Sequence, residues 1–456
     1  MGRPRNPNPP IHAGRVRVPQ ANGWTYVYEK TSQYDHERQQ TRTISKQLIG
    51  KIPQGSSDYK DMVSTGRRGR PSKKDAEANT QAAAADTQAA KAEAQAASAD
   101  MGSAEAAAPC PAIPAFDTAA AKKAQERLNS LAKIPGSLGS LEDLAIRLAG
   151  ITGKACPSFP KKAVVLFAGD HDIALHNVSA SGQEVTEQQV RNFLAGGGTI
   201  NAFLRTAGAE LTVVDVGIKN DLKDAPGLVQ RKVVHAARDF SQCPALTHEE
   251  ALRCLQTGVE MAYDQAEKGV TLLACGEMGV GNTSPSSAIT AVLTGAPVEQ
   301  IVNKGSGIRD ELVQRKIQLI RQGIERNAPN PDDAVDVLAK VGGAEIGAMA
   351  GMMLGAASLR IPCVLDGFIA AAAAAIALGI KKEVRSMLVG SHLSKARGHA
   401  LLMKYLKIPT YFNFGMHLGE GAGAALFFPV VDSAVRILTE MTSLAELHIN
   451  RCNSEH

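Results

Sequence analysis

Short apolar runs alternate with amphipathic stretches along residues 111–456, and this alternation predicts the fold. Each run is four to six residues long and nearly all apolar, as expected of strands buried on both faces of a parallel sheet. Because helical patterns separate the runs, the order predicts a doubly wound α/β fold. The predicted strands are Ala163–Ala168, Leu211–Val216, Val270–Cys275, Pro362–Asp366 and Ser386–Val389, and the predicted helices include Gln183–Leu194, His248–Glu267 and Glu311–Glu325.

The first 110 residues lack this pattern and divide into two zones. Residues 1–74 hold 15 Lys and Arg against 5 Asp and Glu, a net charge of +10, whereas the whole chain carries +5. Two strand-like segments, Gly23–Glu29 and Arg42–Ile52, predict a small hairpin in this basic extension. Residues 75–110 are rich in Ala, Gln and Asp with few large apolar side chains, which predicts a flexible linker.

The basic extension ends in Arg67-Arg68-Gly69-Arg70-Pro71-Ser72-Lys73-Lys74. This tract resembles an AT-hook, in which an Arg-Gly-Arg-Pro core lies in a narrow A·T minor groove. The extension as a whole resembles the N-terminal leader of some bacterial insertion-sequence transposases. It therefore predicts weak DNA binding by residues 1–74, and a solvated basic tail without a partner is the alternative.

The cysteines and the apolar segments indicate where the protein works. Seven cysteines are scattered without a Cys-x-x-Cys pair, which is typical of reduced thiols in a cytosolic protein. The N-terminus has no apolar segment of the signal-peptide type, and the run Ile369–Leu378 is too short to cross a bilayer. The sequence therefore predicts a cytoplasmic protein without a membrane partner.

Glycine-flanked carboxylates follow the predicted strands or open helices. Ligands of doubly wound folds bind at the carboxyl ends of strands, where Glu277 stands in Gly276-Glu277-Met278-Gly279. Glu420 stands in Leu418-Gly419-Glu420-Gly421, at the start of an apolar, small-residue helix. A carboxylate in apolar surroundings has a raised pKa, which suits a general base. A plain helix entry is the alternative for the Glu420 turn.

Two glycine-rich segments are candidate phosphate sites. Gly305-Ser306-Gly307 opens a predicted helix, where free N–H groups and the helix dipole favour an anion. Lys304 or Lys316 would add a positive charge. Neither this segment nor Gly279-Val280-Gly281 completes a dinucleotide fingerprint or a Walker A pattern, which argues against a nucleotide-dependent oxidoreductase. A tight loop without a ligand is the alternative for each.

The histidines are less informative. Gly169-Asp170-His171-Asp172 follows the first strand, but an extended segment cannot direct all three polar side chains inward, so a metal site is disfavoured. His392 and His399 are seven residues apart, and a surface or helix-terminal position is the expectation for both.

The segments Gly169–His171, Gly276–Gly281, Gly305–Gly307 and Leu418–Gly421 occur in the order typical of one enzyme family. On this basis residues 111–456 resemble the nicotinate-nucleotide–dimethylbenzimidazole phosphoribosyltransferase family. The resemblance implies a Rossmann-like parallel sheet with a smaller helical domain, and a homodimer. It implies phosphoribosyl transfer from nicotinate mononucleotide to a benzimidazole-type base, which gives α-ribazole 5′-phosphate and nicotinate for the cobalamin nucleotide loop, without a metal or other cofactor. Further matching stretches are Ile134–Glu142, Gln183–Thr186, Gly342–Ile346, Asp366–Ile369 and Ser391–His392.

The resemblance also implies roles for individual residues. Glu420 is expected to be the general base, and Glu277 the second catalytic carboxyl group, which stabilises positive charge near the ribose or orients Glu420. The residues expected to bind the nucleotide and its phosphate are Gly279, Gly281, Asn282, Thr283, Gly305, Ser306, Gly307, Lys316 and Ser394, and those expected to bind the base are Ser179, Gln183, Met416 and Leu418.

One segment departs from the family pattern. Members commonly read Ser-Ala-Tyr-Pro-Gln-Glu-Val-Thr after the first strand, whereas this chain has Ser-Ala-Ser-Gly-Gln-Glu-Val-Thr at residues 179–186. The loss of an aromatic ring and a proline predicts a wider, looser base pocket. Another benzimidazole, a purine or a phenolic base therefore remains open beside dimethylbenzimidazole.

Overall fold

The computed structural model describes residues 12–19, 25–35, 40–52, 63–64, 110–302 and 310–448. The chain divides into two compact units, Met1–Thr80 and Gln81–His456. The AT-hook-like tract and residues 75–109 of the expected linker lie outside the described residues.

The first unit contains a four-stranded antiparallel sheet with its strands in sequence order. The two segments expected to form a hairpin lie mainly on its second and third strands, which pair antiparallel. Two further strands, not expected from the sequence, flank this pair. The strands are β1 (His12–Pro19), β2 (Thr25–Asp35), β3 (Gln40–Ile52) and β4 (Val63–Ser64).

The second unit is built on a parallel sheet of six strands, in the spatial order β10-β9-β8-β5-β6-β7. This is the order of the doubly wound dinucleotide-binding fold, and its strand order reverses between β5 and β8. The predicted α/β fold is therefore confirmed. The strands are β5 (Lys162–Gly169), β6 (Glu210–Gly217), β7 (Leu228–Gln230), β8 (Leu272–Met278), β9 (Cys363–Val364) and β10 (Leu388–Val389).

Helices connect and cover these strands. The helix predicted at His248–Glu267 has those bounds, and the other two named predictions differ by one or two residues at their ends. The helices are α1 (Thr118–Ser130), α2 (Ser140–Thr152), α3 (Glu184–Leu194), α4 (Thr199–Ala207), α5 (His248–Glu267), α6 (Thr283–Thr294), α7 (Val298–Ile301), α8 (Asp310–Asn327), α9 (Ala334–Val341), α10 (Ala344–Ser358), α11 (Phe368–Ile380), α12 (Arg397–Leu406) and α13 (Ala422–Glu440).

The N-terminal helices pack beside the last helix. The Arg127 guanidinium, on α1, donates hydrogen bonds to the carbonyl oxygens of Leu438 and Met441 at the end of α13. The Arg147 guanidinium, on α2, donates to the carbonyl oxygen of Leu388 on β10. These contacts join α1 and α2 to the same compact unit as the sheet.

Among the described residues, α13 is the helix that is long and apolar enough to cross a membrane. Its large side chains, such as Phe427 and Phe428, are fully buried inside the protein. Its Asp432 carboxylate accepts a hydrogen bond of 2.7 Å from the Lys162 ammonium at the start of β5. These contacts are those of a core helix packed on the central sheet.

Helices α5 and α10 approach each other closely through glycines. A Cβ atom on Gly258 would overlap the carbonyl oxygen of Ala348, and one on Gly351 would overlap that of Leu255. The two backbones are therefore nearly in contact, and this pair of helices covers part of the sheet.

Substitution of Gly258 by Ala is expected to lower the free energy of unfolding by about 2 kcal/mol, because overpacking outweighs the better helix propensity of Ala. The midpoint of thermal unfolding measures this effect. Glu260→Ala, at an exposed position of the same helix, is the control and should change stability by less than about 0.5 kcal/mol. Equal midpoints for the two variants would contradict the close backbone contact.

Candidate active site

A cavity of about 270 Å³ opens at the carboxyl end of β8, beside the point where the strand order reverses. This is the position at which doubly wound folds bind ligands. Its walls come from the segment after β5, the loop from β8 to α6, the start of α11 and the turn before α13. The lining residues include Val178, Ser179, Val185, Gln189, Glu277, Met278, Gly279, Gly281, Asn282, Thr283, Lys316, Asp366, His392, Ser394, His417, Leu418 and Glu420.

Glu420 lies in a turn of unusual backbone conformation. Gly419, Glu420 and Gly421 have φ values of 86°, 64° and 80°, all in the left-handed region. A non-glycine residue seldom adopts this conformation, and such strain is concentrated at functional sites. Gly419 must be glycine because a Cβ there would overlap Glu277 Oε1. The turn places Glu420 in the cavity wall, where it is 8% exposed.

Two buried carboxyl groups from other elements bind the backbone of this turn. Glu277 Oε1 accepts the N–H of Glu420 at 3.3 Å. The Asp366 carboxylate, which precedes α11, accepts three N–H groups at the start of α13. These N–H groups belong to Gly421, Gly423 and Ala424, at 3.1, 2.7 and 3.1 Å respectively.

Burial shifts the proton affinity of the carboxyl groups upward. It raises the pKa of Glu420, and the nearby charge of Asp366 adds to this increase. It also raises the pKa of Glu277 to about 8, again with a contribution from Asp366, although the Asn282 amide donates a hydrogen bond to Glu277 Oε2. Burial therefore favours the protonated form of Glu277. A cationic reactant would favour its ionised form.

Lys316 places a positive charge on the same cavity. Its ammonium, on α8, is buried and donates a hydrogen bond of 2.5 Å to Thr283 Oγ1 at the start of α6. Within the part of the chain that the structure describes, no carboxylate forms an ion pair with it. Burial lowers its pKa to about 8. A buried cation beside a helix N-terminus is suited to an anionic group such as phosphate.

The structure brings together most of the residues expected to bind the nucleotide. Ser394 lines the cavity, and its hydroxyl donates to the carbonyl oxygen of Met416 at 3.2 Å. The segment Gly305-Ser306-Gly307 lies outside the described residues, as does Lys304. The expected residues that line the cavity are Gly279, Gly281, Asn282, Thr283, Lys316 and Ser394.

Two of the four residues expected to bind the base line the cavity, namely Ser179 and Leu418. Gln183 does not: its amide donates to the carbonyl oxygen of His171 at 2.8 Å and to Asp172 Oδ1 at 3.2 Å. These bonds turn the side chain back onto the loop after β5. Met416 does not line the cavity either. Its backbone carbonyl oxygen accepts hydrogen bonds from the Lys395 N–H and the Ser394 hydroxyl.

Sequence reasoning missed five polar side chains in the lining, those of Gln189, Ser287, Asp366, His392 and His417. Gln189 and Val185 are four residues apart on α3, a spacing that places both on one helix face and would have indicated a shared wall. His417 lies beside Leu418 on an exposed loop. Asp366 and His392 lie in stretches that match the family pattern, but no role was predicted for either.

The two distal histidines do not lie on the surface, so the surface alternative was wrong, whereas the helix-terminal alternative holds for His399. His392 is 3% exposed and His399 is fully buried, with their ring centres 6.0 Å apart. The ring of Phe412 stacks on His392 and covers it. His399 lies near the start of α12, where its Nδ1 accepts the N–H of Ser394 at 2.8 Å.

The segment after β5 binds its polar side chains internally. His171 Nε2 lies 2.8 Å from Glu345 Oε1, and both side chains are buried. Burial lowers the pKa of His171, but the charge and hydrogen bond of Glu345 outweigh this effect and raise it. Asp172 is directed elsewhere, toward Gln183 and Lys219. Asp170 Oδ2 accepts the backbone N–H of the same Lys219 at 2.9 Å, so neighbouring protein groups bind all three side chains.

Comparisons with known proteins agree on one family. A family described as "Phosphoribosyltransferase" matches residues 113–449. The nicotinate-nucleotide–dimethylbenzimidazole phosphoribosyltransferase of Chloroflexus aurantiacus is 45% identical over 335 residues, which cover 74% of this chain and 95% of that protein. The protein of the same name from Geobacter sulfurreducens is 44% identical over 324 residues, which cover 71% and 92%.

Solved structures extend this agreement to the fold. The crystal structure of the enzyme of that name from Thermus thermophilus matches with a TM-score of 0.70 and 39% identity, and covers 74% of this chain and 100% of its own. The resemblance inferred from the motifs is therefore confirmed. The chain belongs to the nicotinate-nucleotide–dimethylbenzimidazole phosphoribosyltransferase family.

Proposed function

We propose that this protein transfers the phosphoribosyl group of nicotinate mononucleotide to 5,6-dimethylbenzimidazole or a related base. The products are α-ribazole 5′-phosphate, for the cobalamin nucleotide loop, and nicotinate. The observation that carries this proposal is the charge pattern of the cavity, where Glu277, Asp366 and Glu420 meet the buried Lys316. Nicotinate mononucleotide carries a cationic pyridinium-substituted ribose and an anionic phosphate, so it matches both charges.

The chemistry of the transfer requires a base and no acid. The bond from C1′ to the pyridinium nitrogen breaks, and its electron pair leaves with the nicotinate ring, which needs no proton. C1′ then has oxocarbenium character that buried carboxylates stabilise. A benzimidazole nitrogen forms the new bond on the opposite face, which converts the β to the α configuration. The attacking ring remains cationic unless its other nitrogen loses a proton, and Glu420 accepts that proton.

Lys316 and the start of α6 form the proposed phosphate-binding part of the site. Thr283 begins this helix, so the helix dipole favours an anion there, although the Ser284 N–H is bound by the carbonyl oxygen of Gly281 and Pro285 has no N–H. The loop before it contains Gly281, whose φ of 95° requires glycine and brings the backbone close to the cavity.

The part of the cavity proposed to bind the attacking base is less specific than the phosphate-binding part. Val178, Val185 and Leu418 offer apolar surface for a flat ring, while Ser179 and Gln189 offer hydrogen bonds to its edge. The loop between Ser179 and Gln183 carries neither the aromatic ring nor the proline common in the family. Dimethylbenzimidazole is the proposed substrate, with another benzimidazole, a purine or a phenol as competing bases.

Product analysis tests the proposal. The purified full chain is incubated with nicotinate mononucleotide and each base of such a panel, and the products are separated by chromatography and mass spectrometry. We expect nicotinate and an α-configured ribotide in equal amounts, only when a base is present. Absence of any ribotide with every base, or release of nicotinate without a base at the same rate, would overturn the proposed transfer.

The proposal includes a cytoplasmic homodimer. Large apolar side chains are exposed at Ile134 (76%) and Phe414 (72%), which supports burial of part of this surface between copies. Light scattering of the purified chain should then give a mass of twice 48.0 kDa. A mass of 48.0 kDa at micromolar concentration would exclude the dimer.

Weak DNA binding by residues 1–74 stays a prediction, supported by their charge of +10 and the Arg-Gly-Arg-Pro tract. A mobility shift of an A·T-rich duplex by the full chain at low salt tests it. The double variant Arg68→Ala, Arg70→Ala should lose this shift if the tract binds as an AT-hook. Equal binding by both proteins would contradict that role.

A further inference from the structure

We propose that Asp366 is a positioning residue for Glu420: its carboxylate holds the left-handed turn that places Glu420 in the cavity. This inference rests on the proposed function, in which Glu420 is the general base. Asp366, which precedes α11, would determine both the position of Glu420 and its affinity for a proton.

Helix α13 has no side-chain cap of its own at its N-terminus. The residue at the N-cap position is Gly421, which has no side chain to accept the free N–H groups of the first helical turn. Asp366 accepts them instead, with Oδ2 on one N–H group and Oδ1 on two. Since Asp366 is 55–58 residues away in sequence from these groups, the cap joins the start of α11 to the start of α13.

The turn that contains Glu420 is strained. Glu420 has a φ of 64°, a conformation that an isolated turn would leave for an ordinary negative φ. The N–H groups on both sides of its Cα are bound, its own by Glu277 and the next one, of Gly421, by Asp366. Loss of the Asp366 carboxylate would leave the Gly421 N–H without its acceptor. The turn could then relax, and the Glu420 side chain would move from its position in the cavity wall.

Asp366 also interacts with Glu420 electrostatically. Charged or titratable groups face the turn from three elements: Glu277 from β8, Asp366 before α11 and His392 after β10. The charge of Asp366 helps to raise the pKa of Glu420. His392 lies beside Asp366, since a Cβ on Gly423 would touch both side chains, and it lowers the pKa of Asp366 against the effect of burial. The ring is itself held by a 3.1 Å contact between its Nδ1 and the Ser391 hydroxyl.

A matched control exists in the same sheet. Asp215, on β6, is also buried and also accepts backbone N–H groups, those of Gly217 at 3.1 Å and Ile218 at 2.9 Å. It does not line the cavity. Asp215→Asn therefore removes a buried, backbone-binding carboxylate without touching the turn of Glu420.

Asp366→Asn tests the inference in the full chain, with steady-state kinetics from acidic to alkaline pH. An amide keeps the shape but offers one acceptor oxygen and no charge. We expect kcat to fall by about 100-fold or more while KM for nicotinate mononucleotide changes by less than about threefold. The acidic limb of the kcat profile should move to lower pH, because the charge that raised the pKa of Glu420 is gone.

The control separates this role from a structural one. Asp215→Asn should lower the thermal unfolding midpoint to a similar extent and leave kcat and the acidic limb unchanged. If Asp366→Asn also leaves both unchanged, the inference is overturned. If instead the unmodified protein forms no ribotide, it is the proposed function that fails, so the two failures are distinguishable.

A second variant covers the case in which Asp366→Asn does not fold. His392→Gln removes the group that lowers the pKa of Asp366, so Asp366 should become protonated at higher pH. Because protonated Asp366 no longer raises the pKa of Glu420, the acidic limb of kcat is then expected to move to lower pH, the same direction as in Asp366→Asn. An acidic limb that stays in place in His392→Gln would count against the assignment.

Discussion

Glu420→Gln is expected to lower kcat by about 100- to 10,000-fold, the range for removal of a general base. KM for nicotinate mononucleotide should change by less than about threefold, because the substitution removes a proton acceptor that acts on the attacking base. The amide keeps the size of the side chain and the backbone contacts of Gly419–Gly421. Steady-state kinetics with a saturating benzimidazole measure both constants.

The pH dependence strengthens this test. Burial and the charge of Asp366 raise the pKa of Glu420, and a general base must be ionised to act. The kcat of the unmodified protein should therefore fall as pH decreases through this raised pKa, at a higher pH than for an exposed carboxyl group. Glu420→Gln should lose this acidic limb. Glu440→Gln, at the exposed C-terminal end of α13, is the control and should retain both the kcat and its acidic limb. An unchanged kcat in Glu420→Gln would exclude Glu420 as the general base.

The sheet was predictable from the sequence where the pattern was long enough. All eight residues of β5 are buried, so a run of apolar side chains sufficed to place it. Strand β7 has only three residues, Leu228–Gln230, of which one is exposed, and no periodicity can identify so short an edge strand. Residues Ser386 and Met387 were expected in β10 but lie in a 3₁₀ turn, because a run of four residues is too short for its periodicity to distinguish a strand from a turn.

The candidate site was predictable where the signal was local. Glu420 was identified because glycines on both sides of a carboxylate indicate a special turn, and its positive φ agrees with that reason. Gln183 and Gln189 could not be told apart by residue type, since their roles depend on the orientation of α3. The contacts of Asp366 were not predictable, because they join backbone groups more than fifty residues away.

Lys316→Met is expected to raise KM for nicotinate mononucleotide by about 100-fold, with a smaller effect on kcat. Loss of a buried, hydrogen-bonded charge opposite a charged group costs about 2–5 kcal/mol. A 100-fold change in KM corresponds to about 2.8 kcal/mol, which lies within that range. Methionine keeps much of the length of the buried stem, so packing of α8 on α6 should survive. Lys404→Met, on the exposed face of α12, is the matched control and should leave KM unchanged.

The same lysine should make substrate binding depend on pH. Burial lowers its pKa to about 8 in the ligand-free protein, and a bound phosphate favours the charged form. Nicotinate mononucleotide should therefore bind most tightly below about pH 8, and its KM should rise as pH increases above that value and Lys316 loses its proton. In Lys316→Met this rise should be absent, since no group remains to deprotonate. A KM that rises equally in both proteins would assign the alkaline effect to another group and remove Lys316 from the phosphate site.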